Sequence, residues 1–295
     1  MLYFALPNFY EHKTVNLVLY AVIKQHPQWL KAPVSLYSFT GCFPYSSWNG
    51  TGNSNLGIGA FYKDFIAMQE QSVLPDRLNC SNVLLEDYDI HDVMNQTILN
   101  IFNNGSTVLE VASIPFMEQL QAQYPEFRYV FSKNADLITA FTPDLLNAIA
   151  ETNNFLYIGI PDKYNHDFDF LKALKHKTKF ELTVNPRCPH TCKDYDSCWL
   201  LEQKQQLDYS NNQHIFNCRK SNAQLTNAKQ ILTIEDLQKT YLPLGFNHFT
   251  FAPQYCMGND QILGFYIQYF FKPEFQQECS AAAAQLIQTD FGGQL

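Results

Sequence analysis

The 295-residue chain has no run approaching 18 consecutive apolar residues, so no membrane-spanning helix is expected. Its opening, MLYFALPNFYEH, lacks the basic segment and long apolar stretch of a secretory leader, and Pro7 and charged residues follow at once. The Asn-x-Ser/Thr sequences at Asn49, Asn79, Asn95 and Asn104 therefore carry no weight as glycosylation sites. Positive charge is in deficit as well. The formal net charge is −8, which argues against a broad duplex-binding surface but not against a local basic path for a structured RNA or an anionic metabolite. There is no Ser-His-Asp signature, no H-E-x-x-H, no G-x-x-x-x-G-K-[ST] and no C-x3-C-x2-C triplet. Gly50, Gly52, Gly57 and Gly59 fail the spacing of a dinucleotide-binding turn and read as a flexible loop. No internal repeat or low-complexity tract is evident.

What is present is a composition that builds a core: 46% hydrophobic and 15% aromatic residues, which excludes global disorder. There are also eight cysteines. Without a leader the expected compartment is the cytoplasm, where thiols stay reduced and clustered cysteines favour metal over disulfides. Cys188, Cys192, Cys198 and Cys218 form such a group, spaced C-x3-C-x5-C-x19-C. Four thiolates complete either a [4Fe–4S] cluster or a tetrahedral zinc site. The uneven spacing fits the paired C-x2-C knuckles of structural zinc poorly, so the cluster is the first expectation and zinc the alternative. His190 reads as a loop histidine, with replacement of Cys198 or Cys218 as a ligand the other reading. Cys42, Cys80 and Cys256 read as small packing residues, and Cys279 as core.

Short β-prone runs alternate with helical stretches. The strands are expected at Leu2–Ala5, Val34–Ser38, Arg77–Ser81, Thr107–Val111, Arg128–Phe131, Phe155–Ile160, Phe180–Val184 and His248–Ala252. Helical periodicity marks Val15–Gln25, Tyr62–Gln71, His91–Phe102, Phe116–Gln123, Pro143–Glu151, Asp167–Lys175 and Ile234–Tyr241. Thr142-Pro143-Asp144 and Thr233-Ile234-Glu235 are helix starts, and Asn103-Asn104-Gly105 is a stop followed by a turn. Eight alternations predict an α/β fold, a (β/α)8 barrel over residues 1–295 as a single domain, with an open doubly wound sheet as the alternative. Residues 185–231 form a long cysteine-bearing loop after the seventh strand, and residues 258–290 form C-terminal helices.

Chemistry in such a barrel sits just past the strand C-termini. Glu86 and Asn82 follow the third strand and are the catalytic candidates, with Glu86 as acid or base and a helix cap, shared with Asp87, as its alternative. Trp48 and Asn49 follow the second strand, and Asn185 the seventh. An aromatic ring beside amides suits a planar small molecule or single nucleotide. These residues are expected to converge on one pocket. Tyr10, Glu11 and His12 follow the first strand at the same face.

Several segments in order along nearly the whole chain resemble the peptidase U32-like family of iron–sulfur barrels, in its small uncharacterised branch. They are LPNFYEH, GCFPYSSWNG, SNVLLED, LTVNPRCPHTC, GFNHFTFAP and YIQYFFKPEF. The resemblance implies a [4Fe–4S] cluster on these cysteines and a link to oxygen-independent hydroxylation of an RNA base or a small molecule. A metal-stapled binding or scaffold protein without turnover, or a peptidase-like hydrolase, are the alternative functions. Two departures stand out. Thr250-Phe251-Ala252-Pro253-Gln254 replaces a Lys-Ile-Glu-Gly-Arg-like run, and Thr51-Gly52-Asn53 stands where close relatives continue into Gly-Gly-Arg. The lost cations weaken the case for an anionic substrate or RNA backbone.

Overall fold

The computed structural model describes residues 1–42, 46–50, 66, 70, 72–85, 90–186, 192–207, 231–253 and 257–291. Eight strands run in sequence order around a closed barrel: β1 (Leu2–Leu6), β2 (Val34–Gly41), β3 (Asp76–Cys80), β4 (Val108–Val111), β5 (Arg128–Phe131), β6 (Tyr157–Gly159), β7 (Phe180–Thr183) and β8 (His248–Thr250). Every pairing is parallel, and β1 closes the cylinder on β8 with Tyr3 opposite His248 and Ala5 opposite Thr250. The fold is the (β/α)8 barrel that the alternation predicts.

The helices between the strands are α1 (Lys13–Gln25), α2 (Val93–Phe102), α3 (Ile114–Gln123), α4 (Pro143–Thr152), α5 (Phe168–Ala173) and α6 (Tyr195–Leu207). They are followed by a helical stretch over residues 234–244, α7 (Asn259–Phe270) and α8 (Gln276–Asp290). Their starts are set by short polar side chains that accept an otherwise unpartnered backbone N–H. Asp92, Ser113, Thr142 and Asp167 each do so, and Thr233 forms a reciprocal capping box with Asp236. After α2, Asn104 Oδ1 accepts from the N–H groups of Ser106 and Thr107 at 2.9 and 3.0 Å. Gly105 supplies the positive φ of 74° that this turn needs.

The excursion after β7 is not irregular throughout. Within it lies α6, which the polar sequence YDSCWLLEQKQQL conceals because its apolar residues form no clean helical stripe.

The core lies between barrel and helices, where alternate strand residues point outward. Phe4 on β1 packs edge-on against Phe270 of α7 at 5.1 Å, and Phe251 meets Tyr266 and Tyr269 at 5.2 and 5.0 Å. The intervening residues point into the lumen. Barrels of this kind ordinarily fill that space with branched aliphatics. Here it holds Tyr37, Arg77, Glu110, Tyr157, Glu181 and His248, joined by contacts that cross the cylinder. Among the described residues no helix is long and apolar enough to cross a membrane.

Candidate active site

Charged side chains on strands covered by helices have one place to go, the barrel interior. Arg77 on β3 is nearly fully buried, and its Nε donates to Glu110 Oε2 on β4 at 2.9 Å. Its Nη1 reaches across the barrel to Glu181 Oε2 on β7 at 2.7 Å. Burial opposes the guanidinium's charge, but the two carboxylates outweigh it and hold its pKa above the ordinary value. Tyr37 on β2 donates its hydroxyl proton to the same Glu181 Oε2, and burial followed by that carboxylate keeps the phenol protonated. Ser132 Oγ donates to Glu110 Oε1 at 2.7 Å. Below this layer His248 packs on Tyr157 and Tyr3 at 4.5 and 5.0 Å, and burial lowers its pKa despite the pull of Glu181.

This layer floors a cavity of about 700 Å³, its opening included, at the C-terminal mouth. The wall is made by residues at or past strand ends: Asn8 after β1, Cys42 after β2, Asn79 on β3, Lys133 after β5, Thr183 on β7, and residues 250–253 at β8. Asn8 takes the left-handed conformation at φ 57°, which asparagine tolerates best among residues with a Cβ. Lys133 Nζ donates to Asp162 Oδ1 at 2.6 Å and to Thr183 Oγ1 at 2.9 Å, and it sits 5.9 Å over the Trp199 ring. Trp199, from the first turns of α6, completes the wall.

Of the candidates read from the sequence, Glu86, with Asp87, and Cys188, His190 and Cys218 lie outside the described residues. Trp48, Asn49 and Asn82 are brought together, but not on the cavity wall. Trp48 is buried edge-on against Phe116 of α3 at 5.3 Å, and Asn49 is fully buried. The Asn82 amide donates to the carbonyls of Ser47 and Gln203 at 2.9 and 3.1 Å, while its Oδ1 accepts from Leu84 N at 3.0 Å. Asn185 stands apart from that trio and pairs twice with the Ala252 backbone, donating at 3.2 Å and accepting at 2.7 Å. These two carboxamides tie loops together. Near β1, His12 Nδ1 bonds Asn259 at 2.6 Å, and burial raises the pKa of Glu11.

Cys192 and Cys198 are partly exposed thiols, one just before α6 and one in its first turns, whereas Cys42, Cys80 and Cys279 are buried. Burial pushes the pKa of Cys42 and of Cys80 well up, as do nearby carboxylates. The donor set at α6 is compatible with a thiolate-bound metal, and among the described residues it amounts to these two sulfurs, with no group of three ligating side chains assembled.

Comparison with family models, with curated proteins and with solved structures gives no match. What the chain does is therefore argued from its own geometry.

The residues that make this cavity were visible only as an alternation. Arg77-Leu78-Asn79, Leu109-Glu110-Val111, Glu181-Leu182-Thr183 and His248-Phe249-Thr250 each interleave polar and apolar residues. In a barrel sheathed by helices that pattern assigns the polar set to the lumen.

Proposed function

We propose that the chain is an enzyme of the U32-like kind, which modifies a small molecule or single nucleotide at the barrel mouth by oxygen-independent hydroxylation or a related redox step. A [4Fe–4S] cluster on Cys188, Cys192, Cys198 and Cys218 would serve it. The observation that carries this reading is the adjacency of Cys198 and Trp199. One helix turn presents a partly exposed thiol and, at the next residue, a side chain on the cavity wall. A metal held by these sulfurs would stand near the rim of a cavity floored by three ionisable side chains.

Bound there, a cluster supplies electron transfer or a Lewis-acidic iron. The rest is done by the protein. The floor carboxylates orient a polar ligand, the tryptophan offers a flat apolar face, and the aromatic layer beneath closes the lumen to water from the other end.

Anaerobically prepared protein is expected to be brown and to contain about four irons and four sulfides per chain. Cys192→Ala should abolish iron binding, while Cys279→Ala, at a fully buried position on α8, should not. A colourless preparation with one zinc would replace the cluster by a structural staple and turn the reading toward a binding protein.

A further inference from the structure

Resting on the reading that the mouth is the ligand site, we propose that its floor selects a small planar group that donates N–H hydrogen bonds, such as an amine, amidine or amino-substituted heterocycle (a nucleobase with its phosphate held outside included), and rejects an anionic group presented to it. Glu181 is the recognition residue. Its side chain is 2% exposed and lines the cavity. Both bonds it makes, from Arg77 Nη1 and from the Tyr37 hydroxyl, fall on Oε2. Oε1 takes no hydrogen bond from another described residue. The neighbouring carboxylate differs in this respect, since Glu110 is engaged through Oε2 by Arg77 and through Oε1 by Ser132. Oε1 is left open to the cavity, and an ionised carboxylate is an acceptor only. The group that satisfies it must bring a hydrogen.

Charge points the same way. On the floor two carboxylates face one guanidinium, which leaves one negative charge in excess. The other cation on the described wall, Lys133, is matched by Asp162 at 2.6 Å. An anion entering the cavity meets cations that are already paired with carboxylates and a floor of its own sign, in a setting where little water screens the repulsion. A planar donor meets the Oε1 acceptor below and the Trp199 ring at the wall. Amide-like bonds to a charged acceptor are stronger than neutral ones, so Oε1 alone gives discrimination of about tenfold or more.

The test uses three isosteric probes, benzamidine, benzamide and benzoate, titrated calorimetrically into the full chain. The expected order is benzamidine tightest, benzamide weaker and benzoate weakest, with at least about tenfold between the first and last. Glu181→Gln, which keeps an oxygen for Arg77, should abolish the preference. Benzoate binding as tightly as benzamidine, or no binding of any probe at millimolar concentration, overturns the proposal. So does an unchanged preference in a folded Glu181→Gln protein. The selectivity of the unaltered chain needs no variant to fold. Iron content is measured separately: a cluster-bearing protein without the preference sinks this inference alone, and an iron-free protein with it sinks only the cluster.

Discussion

Arg77 is the residue on which the lumen depends. Its charge is buried with two carboxylates at 2.7 and 2.9 Å, and removing one partner of such a group leaves unbalanced charge inside the protein. Arg77→Met should therefore lower the unfolding free energy at neutral pH by about 3–5 kcal/mol. A loss below about 1 kcal/mol by urea titration would mean that the carboxylates find other partners. Asp76 offers a second measurement. Burial raises its pKa to about 6 from 3.8, while the Ser72 hydrogen bond and the Lys13 charge pull the other way. The folded protein then holds a proton that the unfolded chain has released, and stability falls as pH rises between 3.8 and about 6. Asp76→Asn removes that slope. Its melting temperature should match the parent near about pH 4 and exceed it above about pH 6, by the equivalent of up to about 3 kcal/mol. A variant less stable than the parent at neutral pH would refute the assignment. At this scale the sequence was read least well. Asn82 and Asn185 stand where ligand-binding amides stand, and a short amide after a strand serves equally to hold backbone groups, as both do here. Arg77, Glu110 and Glu181 were passed over because a charged residue inside a strand reads as a surface residue until the sheet is known to be closed and covered.

Among the elements, α6 connects most of what matters at the mouth. It carries Cys198 and Trp199 on one turn and Gln203 on the next. Gln203 Oε1 accepts from Val83 N at 2.7 Å, and its carbonyl accepts from Asn82 at 3.1 Å. The segment 46–50 is clamped from the other side, with Asn82 N bonded to Trp48 O at 3.0 Å. Gly50 lies so close to the end of β3 that a Cβ there would be 2.2 Å from Ser81 Oγ and 2.3 Å from Ser81 O. Gly50→Ala must push the two segments apart. Hydrogen exchange at residues 46–50 and 79–84 should accelerate at least about tenfold while the far side of the barrel, β5 to β7, is unchanged. Uniform exchange across the barrel would mean that the clamp is not local. Seven of the eight expected strand positions differ from those observed by one to three residues at an end, because pairing partners set where a strand stops. The missed element is α6, where polar residues and the partly exposed Cys198 take the place of an apolar face.

For the whole molecule, the barrel was legible because eight β-prone runs of four to six residues alternated with helical periodicity, and a parallel sheet with crossovers follows from that order. The lumen's polarity was not, since it depends on which face of each strand turns inward. Closure through β1 and β8 has one more consequence, for how the molecule is made. The first strand's final neighbour is found some 245 residues later, with Tyr3 beside His248, and the edge is finished by the Leu30–Phe271 bridge and Lys31 N on Phe270 O at 2.9 Å. Until that late segment emerges from the ribosome, β1 and β7 each present an open edge, the kind of surface on which nascent chains aggregate. Contacts this distant along the chain also slow folding. Synthesis, rather than the finished fold, is then the stage at which the protein is most exposed to loss, because both strand edges stay open until β8 is made.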